Sequence, residues 1–381
     1  MSRSGARVLG RTAPTPRVAI LSPALDAVSG VSTHANMLLD SALGQHFDLV
    51  HFQVGSEGRD ESRLRRGFRT AFSPFRLAGF ILSHRPQVVH INTSMDRKAY
   101  WRDLAHLYVA KSLGVKVLSQ VHGGVLPQEL FAGRPTLSRL LRASLRRSDV
   151  VAVLSMQEQA AYSAFCPQAR IVRITNAIAA DALQIQHRPD KPLALDHPLR
   201  LVYIGRLIRE KGVFDVLEAV VLLRAAGRSV EFDIAGSGAA EDTLVARVRE
   251  LGLDAQVHFH GAISGDRKWR LWQQADVFAF PTYHPEGLPY ALLEAMSAGT
   301  PAITCAVAAI PDVMQHEVHG LFVAPRDPQV LAQAIATLDE DRLMLAQMAT
   351  ACRSQVQDNF TVERLAGDFA SLYTQLLCQG V

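Results

Sequence analysis

Short apolar runs alternate with longer amphipathic stretches along almost the whole chain. Most of the apolar runs are separated by stretches of roughly 10–15 residues with helical spacing. The predicted strands are 17–22, 47–52, 87–91, 115–121, 150–154 and 170–174, followed by 199–204, 230–235, 257–260, 277–280 and 302–304. Because strands and helices alternate in this way, the pattern predicts α/β architecture with doubly wound parallel sheets.

Two segments of the chain open in the same way. Arg17–Ser22 is an apolar run followed by a turn-rich loop with Gly30 and then a helical pattern. Leu199–Ile204 is followed by the turn Gly205–Gly212 and a second helical pattern. Each segment is typical of the first βα unit of a doubly wound domain, and ligands of such domains bind at the carboxyl ends of the strands. We therefore expect two Rossmann-like domains facing across a cleft, with a site made by loops of both.

The polar, proline-bearing segment Asp181–Pro198 separates the two halves. A chain of 381 residues is long enough for two domains that each bury a core. The predicted organisation is a flexible N-terminal tail over 1–16, a first domain over 17–190, a second domain over 191–360, and a C-terminal helix over 361–381 that packs back toward the first domain.

The composition is that of an ordinary globular protein, with 48% hydrophobic and 20% charged residues. A net charge of +4 and a pI near 9.0 leave room for an anionic ligand or a membrane surface but predict no nucleic-acid partner. The four cysteines lack metal-ligand or CxxC spacing and indicate reduced thiols. No apolar run approaches the length of a membrane span. These features predict a cytoplasmic protein, at most peripheral at the inner face of the cytoplasmic membrane.

Glu286 and Glu294 bracket the start of a predicted short helix. Pro289 suits the first helical position, where its missing N–H would have no partner, and Gly299 suits the position just after the helix end. Glu294 is therefore expected on the helix and Glu286 in the loop that enters it.

The loop between these carboxylates is predicted to form an anion site. The backbone N–H groups of Gly287, Leu288 and Tyr290 can face the same space as the positive end of the helix dipole. An anion site flanked by two carboxylates that can bind hydroxyls suits a phosphorylated sugar. Glutamates at this spacing occur often by chance, so the interpretation depends on the glycine and proline pattern around them.

A second candidate is the turn after the strand 199–204. Arg206 and Lys211 supply a guanidinium fork and a point charge, which suit a diphosphate whose leaving group gains negative charge. Taken alone, the turn is more typical of a solvated basic loop.

Two loops of the first half complete the set of candidates. His122 ends a strand and precedes two glycines, so it can bind a sugar hydroxyl, or it can simply cap a tight turn. Gly30 lies in the first βα loop, whose small residues can line a phosphate. The same loop offers Ser32 or Thr33 as the N-cap of the following helix.

Taken in order, these motifs resemble the GT-B retaining glycosyltransferases, specifically glycosyltransferase family 4, the glycosyl transferases group 1. The resemblance covers nearly the whole chain from Ile20 to the final helix. It is carried by Gly205–Gly212, Ala235–Gly238, His260–Gly261, Ala275–Pro281 and Glu286–Glu294. It implies the GT-B fold, in which two Rossmann-like doubly wound domains face each other across a cleft.

The resemblance also implies a hexosyltransferase whose second domain holds a nucleotide-diphosphate sugar. Arg206 and Lys211 would bind the diphosphate, Glu294 the ribose hydroxyls and Glu286 the hydroxyls of the transferred sugar. The implied donor-binding residues are Gly30, Arg206, Lys211, Gly236, Ile263, Glu286, Gly287, Leu288 and Glu294. The implied catalytic residues are His122, Arg206, Lys211 and Glu286. The family often has two glycines where this chain has Ser29 and Gly30.

The expected reaction needs no metal and no other cofactor besides the donor itself. The one Asp-x-Asp triplet, Asp339–Asp341, falls in a late helical stretch, and the cations at 206 and 211 can neutralise a leaving diphosphate. Retention is implied by the resemblance, and because no carboxylate is nominated as a nucleophile, front-face substitution is the expected route. The acceptor would be a glycan or a polyprenyl-diphosphate-linked glycan of a bacterial cell-surface polysaccharide, such as exopolysaccharide, capsule or lipopolysaccharide.

Two arginine-rich stretches of the first half bear on the acceptor. Arg59–Arg76 interleaves arginines with three phenylalanines, and Arg134–Arg147 places arginines opposite leucines at helical spacing. Both predict peripheral contact with an anionic membrane. For each alone, a solvated helix face that backs onto the core is the favoured interpretation, and it is their occurrence together in one domain that points to a lipid-linked acceptor.

Three other functions remain as alternatives at this point. A nicotinamide-dependent oxidoreductase would need GxGxxG, and the stretch from Gly236 places Glu241 where the third glycine belongs. A sugar-nucleotide epimerase or hydrolase would share the fold and act without an acceptor. A non-catalytic nucleotide-sugar-binding protein would be expected to lose one of its charged site residues. All four are present, namely Arg206, Lys211, Glu286 and Glu294.

Overall fold

The computed structural model describes residues 15–27, 29–56, 61–179, 197–284 and 287–378. The candidate Glu286, residues 181–196 of the predicted linker and residues 1–14 of the predicted tail lie outside the described residues.

The first half of the chain forms a parallel six-stranded sheet in the order β2-β1-β3-β4-β5-β6. Its strands are β1 (Arg17–Ser22), β2 (Asp48–Gln53), β3 (Val88–Met95), β4 (Lys116–Gly124), β5 (Val150–Val153) and β6 (Ile171–Arg173). Its helices are α1 (Gly30–Asp40), α2 (Arg63–His84), α3 (Arg97–Ser112), α4 (Pro127–Leu130), α5 (Pro135–Arg147) and α6 (Met156–Phe165), with a 3-10 turn at Ala42–Gln45.

The second half forms another parallel six-stranded sheet, in the order β12-β11-β10-β7-β8-β9. Its strands are β7 (Leu199–Ile204), β8 (Val230–Ala235), β9 (Val257–Gly261), β10 (Val277–Phe280), β11 (Ala302–Thr304) and β12 (Gly320–Phe322). Its helices are α7 (Val213–Ala225), α8 (Glu241–Glu250), α9 (Gly265–Gln274), α10 (Tyr290–Ser297), α11 (Ile310–Val313), α12 (Pro328–Glu340) and α13 (Arg342–Asn359), with a 3-10 turn at Arg209–Lys211. The predicted pair of doubly wound α/β sheets is confirmed.

One strand was not predicted. β12 has three residues, begins with a glycine, and pairs in parallel with β11. Gly320 opens it at φ +148°, and a Cβ atom there would collide with the Ala302 carbonyl oxygen. A glycine is therefore needed for these two strands to approach.

The last helix, α14 (Val362–Cys378), crosses to the first domain. Leu365, Phe369 and Leu376 are buried in one cluster with Val18 and Ile20 of β1. The chain therefore leaves the first domain near residue 179 and returns to it after α13.

The two crossings of the chain between the domains lie side by side. Ile178 donates its backbone N–H to the Phe360 carbonyl oxygen at 2.8 Å, and Ile178 and Thr361 form an isolated parallel bridge. The segment that leaves the first domain is thus hydrogen-bonded to the segment that returns to it.

Candidate functional site

The loops that follow four neighbouring strands of the second sheet lie next to one another. Strands β10, β7, β8 and β9 are adjacent, so their carboxyl ends share one edge. Leu207 donates its N–H to the Ser237 carbonyl oxygen at 3.0 Å, and Gly236 donates to that of Gly261 at 2.8 Å. These backbone bonds join the loops after β7, β8 and β9 into one surface.

The Gly236–Gly238 turn lies directly on the turn after β7. Gly236 has φ +141°, and a Cβ atom on it would collide with the Gly205 carbonyl oxygen. A Cβ atom on Gly238 would collide with the Leu207 carbonyl oxygen. Both glycines are needed for this contact, which leaves backbone rather than side chains facing a ligand.

The two predicted phosphate-binding cations lie on one rigid turn but differ in exposure. Arg206 is exposed, and its carbonyl oxygen accepts a hydrogen bond from the Tyr203 hydroxyl at 2.8 Å. Lys211 is buried, with its ammonium 5.3 Å from the centre of the Phe280 ring. Lys211 is therefore held in a fixed position beside β10, whereas the Arg206 side chain extends into solvent.

Glu294 is hydrogen-bonded through both carboxylate oxygens. Oε1 accepts from Lys268 Nζ at 2.6 Å and Oε2 from Trp272 Nε1 at 3.3 Å, and the side chain is 13% exposed. Both partners come from α9 and were not predicted. Lys268 and Trp272 stand four residues apart, so the sequence places them on one face of a helix. The sequence does not show that this face contacts Glu294. A carboxylate has about four acceptor positions, so Glu294 keeps acceptor capacity for hydroxyls.

The helix that carries Glu294 begins one residue later than expected. Pro289 is the N-cap, in extended conformation at φ −65° and ψ 123°, and the helix runs from Tyr290. Gly299 follows the helix end at φ +69°, as its position predicted. The positive end of this helix therefore faces the loop that contains Gly287 and Leu288.

His122 lies on β4 at the carboxyl edge of the first sheet. The Asn92 amide donates to the Leu21 carbonyl oxygen at 3.1 Å, which leaves Asn92 Oδ1 to accept from His122 Nε2 at 2.8 Å. Burial, reinforced by the neighbouring His34 and His90, lowers the pKa of His122 well below its ordinary value. His122 is therefore neutral near neutral pH, with its proton on Nε2 and a lone pair on Nδ1.

The N-cap of α1, at the end of the first βα loop, is neither of the two residues expected. Ser29 is the N-cap of α1, and its hydroxyl accepts from the Ser32 N–H at 3.2 Å. Thr33 is already inside the helix and donates its hydroxyl to the Ser29 carbonyl oxygen at 3.0 Å. The expectation of Ser32 or Thr33 was wrong because the helix begins at Gly30, so the cap is Ser29, three residues before the N–H that it satisfies.

The loop before α10 touches the first domain. A Cβ atom on Gly287 would lie 3.0 Å from the His122 carbonyl oxygen and 2.7 Å from a Leu154 methyl carbon. The Leu288 carbonyl oxygen accepts from Asn176 Nδ2 at 2.9 Å. The donor-loop candidates of the second domain and His122 of the first are therefore brought together.

Tyr290 makes a further contact between the domains at this edge. Its ring faces Gly30, where an added Cβ atom would lie 3.4 Å from Cδ2, and its hydroxyl lies 3.4 Å from His34 Nδ1. Burial and the negative charge of Glu294 raise the pKa of Tyr290 well above its ordinary value. The hydroxyl therefore remains protonated. The sequence did not identify the Tyr290 side chain as part of the site, because only its short distance to Gly30 of the other domain shows this.

The candidates thus fall into two groups, and one lies outside the described residues. Gly30, His122, Gly287 and Leu288 meet where the domains touch. Arg206, Lys211, Gly236, Ile263 and Glu294 lie on loops or on α10 at the edge of the second sheet, with Ile263 half-buried after β9. The structure does not describe Glu286.

A hollow of about 370 Å³ opens beside the contact between the domains. It lies at the ends of β3 and β4, and His284 reaches it from the second domain. Its lining residues are Met95, Asp96, Arg97, Gly124, Val125, Glu129, Leu130 and His284. The hollow therefore has charged groups of both signs next to an apolar wall.

The acidic triplet at 339–341 has structural partners. Asp339 accepts from Arg342 at 2.5 Å, and Asp341 caps α13 by accepting from the Met344 N–H at 2.8 Å. Within the ranges that the structure describes, no three His, Cys, Asp or Glu side chains are grouped as metal ligands would be.

Two family models match the chain. The model described as glycosyl transferase 4-like domain matches residues 9–177, and the model described as glycosyl transferases group 1 matches residues 185–355. Together they account for both halves of the chain. Among curated proteins, the chain is similar to the amylovoran biosynthesis glycosyltransferase AmsK of Erwinia amylovora, with 28% identity over 51% of this chain and 48% of that protein. The chain spans about half the length of the first curated relatives that it matches.

Solved structures resemble the chain over nearly its full length. Sucrose-phosphate synthase of Thermosynechococcus elongatus superposes with a TM-score of 0.75 at 22% identity, covering 96% of this chain and 100% of that one. Anabaena HepE in complex with UDP-glucose superposes with a TM-score of 0.72 at 17% identity, covering 94% and 99%. At these identities the likeness concerns the fold, in which two α/β domains face each other.

Proposed function

Since the chain belongs to the GT-B glycosyltransferases, we propose that it transfers a sugar from a nucleotide-diphosphate donor to a glycan or lipid-linked acceptor, with retention and without a metal ion. The observation that carries the proposal is the contact between the loop at Gly287 and His122. It brings the loop at the positive end of α10 against a neutral histidine of the first domain. The cationic turn follows β7, the strand next to β10, at the same edge of the second sheet.

The donor would lie along the edge of the second sheet. Lys211 and Arg206 would bind the diphosphate, and Glu294, already oriented by Lys268, would accept from the ribose hydroxyls. The backbone of the Gly236 turn and the stretch at Ile263 would border the base. Anabaena HepE is a relative in fold that binds UDP-glucose, which makes uridine-linked hexoses the first donors to test.

The proposed reaction is a front-face substitution. The acceptor oxygen forms its bond to the anomeric carbon on the face from which the diphosphate oxygen departs. The bond between the anomeric carbon and that oxygen breaks, its electrons leave with the diphosphate, and the acceptor proton passes to a leaving phosphate oxygen. Lys211 and Arg206 would stabilise the growing charge, and His122 Nδ1 would accept from a hydroxyl of the sugar.

The acceptor would enter through the hollow beside the contact between the domains. Arg97 donates to the Leu130 carbonyl oxygen at 3.3 Å, and Glu129 accepts from the Leu126 N–H at 3.1 Å, so the charged groups in its wall are already oriented. A wall with oriented charges suits a hydroxylated, amphiphilic acceptor. AmsK is named for synthesis of the polysaccharide amylovoran, and we assign this chain to the same kind of pathway, bacterial cell-surface polysaccharide synthesis.

A panel of nucleotide sugars tests the proposal. Binding is measured by thermal shift, and donors that bind are then incubated with lipid-linked and free glycan acceptors, with and without a chelator. The expected result is a glycosylated product with retained anomeric configuration at the same rate in chelator. Donor hydrolysis or isomerisation without transfer would favour an epimerase or hydrolase. Binding without any reaction would favour a binding protein, and loss of activity in chelator would refute the metal-independent route.

A further inference from the structure

Helix α2 carries a row of large apolar side chains that the described protein leaves uncovered. The exposed fractions are 80% for Leu64, 70% for Phe68, 54% for Phe72, 73% for Phe75 and 64% for Leu82. At about 100° per residue, all five side chains fall within an arc of roughly 80° around the helix. We call this row the outer stripe. Its rings at positions 68 and 72 stack with centroids 6.1 Å apart, so the row is continuous.

The opposite side of α2 already packs against the first sheet. Leu77 and Ile81 are buried in a cluster with Leu107 of α3, and Ser73 Oγ lies 2.8 Å from His106 Nε2. These side chains stand about 180° from the outer stripe. Packing on the core therefore accounts for the inner face of α2 and leaves the outer stripe unexplained.

The first turns of α2 extend beyond the body of the domain. No residue from 64 to 72 is buried. A helix of 22 residues is about 33 Å long, whereas its neighbouring strands of six and eight residues span about 20–27 Å. Because α2 follows the carboxyl end of β2, these turns project on the side of the sheet where the candidate site lies.

The charge of α2 is positive throughout. The helix contains five arginines and no acidic residue. Arg69 is paired with Glu61 through its Nε at 3.0 Å. Arg65 and Arg76 are exposed along one edge of the outer stripe, about 20° and 40° beyond Phe72 around the helix, and Arg76 also lies over the Phe52 ring at 5.9 Å. An aromatic stripe bordered by exposed arginines is the pattern of a helix that lies in the interface of an anionic bilayer.

We propose that the outer stripe of α2 inserts into the interfacial region of an anionic membrane, with Arg65 and Arg76 meeting the lipid phosphates. No helix of the described residues is long and apolar enough to cross a bilayer, so the attachment is peripheral. The other arginine-rich stretch differs, because Leu141 and Leu145 of α5 are buried in the core. Membrane contact was expected for both stretches, and we therefore assign it to α2 alone.

Vesicle binding in the absence of donor and acceptor tests the proposal independently of glycosyl transfer. The full chain is sedimented with phosphatidylcholine vesicles that contain or lack phosphatidylglycerol. The wild type is expected to bind the anionic vesicles, and the Phe68→Ser/Phe72→Ser/Phe75→Ser variant to bind about 100-fold less. Leu343→Ser is the matched control, because that side chain is 62% exposed on α13 of the second domain and should leave binding unchanged.

The arginines and the depth of insertion are tested separately. Arg65→Gln/Arg76→Gln is expected to remove the preference for anionic vesicles and its dependence on salt. Phe72→Trp, in an otherwise unchanged helix, is expected to be quenched by brominated lipids, whereas Leu343→Trp is not. The quenching of Phe72→Trp can be measured and interpreted even if the triple variant folds poorly.

Two results would overturn the proposal. The first is equal vesicle binding by the wild type and the triple variant, with Phe72→Trp unquenched. The second is a concentration-dependent dimer, seen by sedimentation velocity, that the triple variant abolishes while the wild type ignores vesicles, since the outer stripe would then bind a second copy of the chain. Activity on a water-soluble acceptor is expected to be the same in the wild type and the triple variant.

Discussion

Glu294 is oriented by its neighbours within the protein. Lys268 and Trp272 hold its two oxygens from α9, and its side chain is mostly buried. A carboxylate fixed in this way loses little further freedom when hydroxyls bind to it. The sequence placed Glu294 on a helix through the proline and glycine around it, but its partners depend on how α9 packs on α10, which local patterns do not encode.

Replacing Glu294 by Ala is expected to weaken binding of the nucleoside diphosphate about 10- to 100-fold, the cost of losing hydrogen bonds to a charged group. The measurement is titration calorimetry. Lys268→Met is the control, since it removes the partner but keeps the carboxylate, and should cost less than Glu294→Ala. Unchanged affinity in Glu294→Ala would exclude the ribose role.

Lys211 differs from Glu294 because its proposed role grows as the reaction proceeds. A cation held beside the leaving diphosphate stabilises charge that exists only in the transition state. Lys211→Met is therefore expected to lower kcat by about 10²–10³-fold with a smaller effect on donor affinity. Steady-state kinetics with Arg224→Gln, an exposed cation on α7, as the control would check this. A change confined to KM would count against a transition-state role.

At the scale of elements, short apolar runs in the sequence predicted the strands, and glycines predicted the loops. The eleven expected strands are all present, five with the predicted ends and six with shifted ends, because a strand buried on both faces is a continuous apolar run. β12 was not predicted because it is short and begins with a glycine, a residue that is depleted in strands. The α1 cap was misplaced because four neighbouring positions offer suitable residues, and only the backbone angles select Ser29.

The turn at Gly236 is where one added methyl group should matter most. Gly236→Ala places a Cβ atom against the Gly205 carbonyl oxygen, so the loops after β7 and β8 must separate. Donor binding is expected to fall at least about tenfold, with a loss of about 1–3 kcal/mol in stability. Gly367→Ala is the control, because nothing lies within 4 Å of a Cβ atom there and the residue is helical. Equal donor affinity in the two variants would contradict the close contact.

Across the whole molecule, the first domain has a core that contains several histidines. His90 lies between Tyr373 of α14 and Gln120 of β4, at 2.7 and 2.9 Å, and His34 packs against His122. Burial lowers the pKa of His34 from 6.5 to about 4 and that of His90 to about 3. These side chains are neutral in the folded protein, and no sequence pattern distinguished them from surface histidines.

The buried histidines predict a dependence of stability on pH. In the unfolded chain they take up protons near pH 6.5, whereas the folded chain resists this until about pH 3–4. The free energy of unfolding is therefore expected to fall as the pH falls from about 6.5 to about 3, by up to about 1.4 kcal/mol per pH unit for each histidine. Urea unfolding near neutral pH and near pH 5 measures the slope. His90→Gln should flatten it and the exposed His46→Gln should not; equal slopes in both variants would contradict the prediction.

The hydrogen bond between Ile178 and Phe360 has a consequence for the proposed donor loop. It joins the segment that leaves the first domain to the segment that returns to it. Asn176, two residues before Ile178, donates its Nδ2 hydrogen to the Leu288 carbonyl oxygen at 2.9 Å. The joined segments and the loop before α10 are therefore neighbours, so a substitution that shifts these segments would also displace the loop from His122.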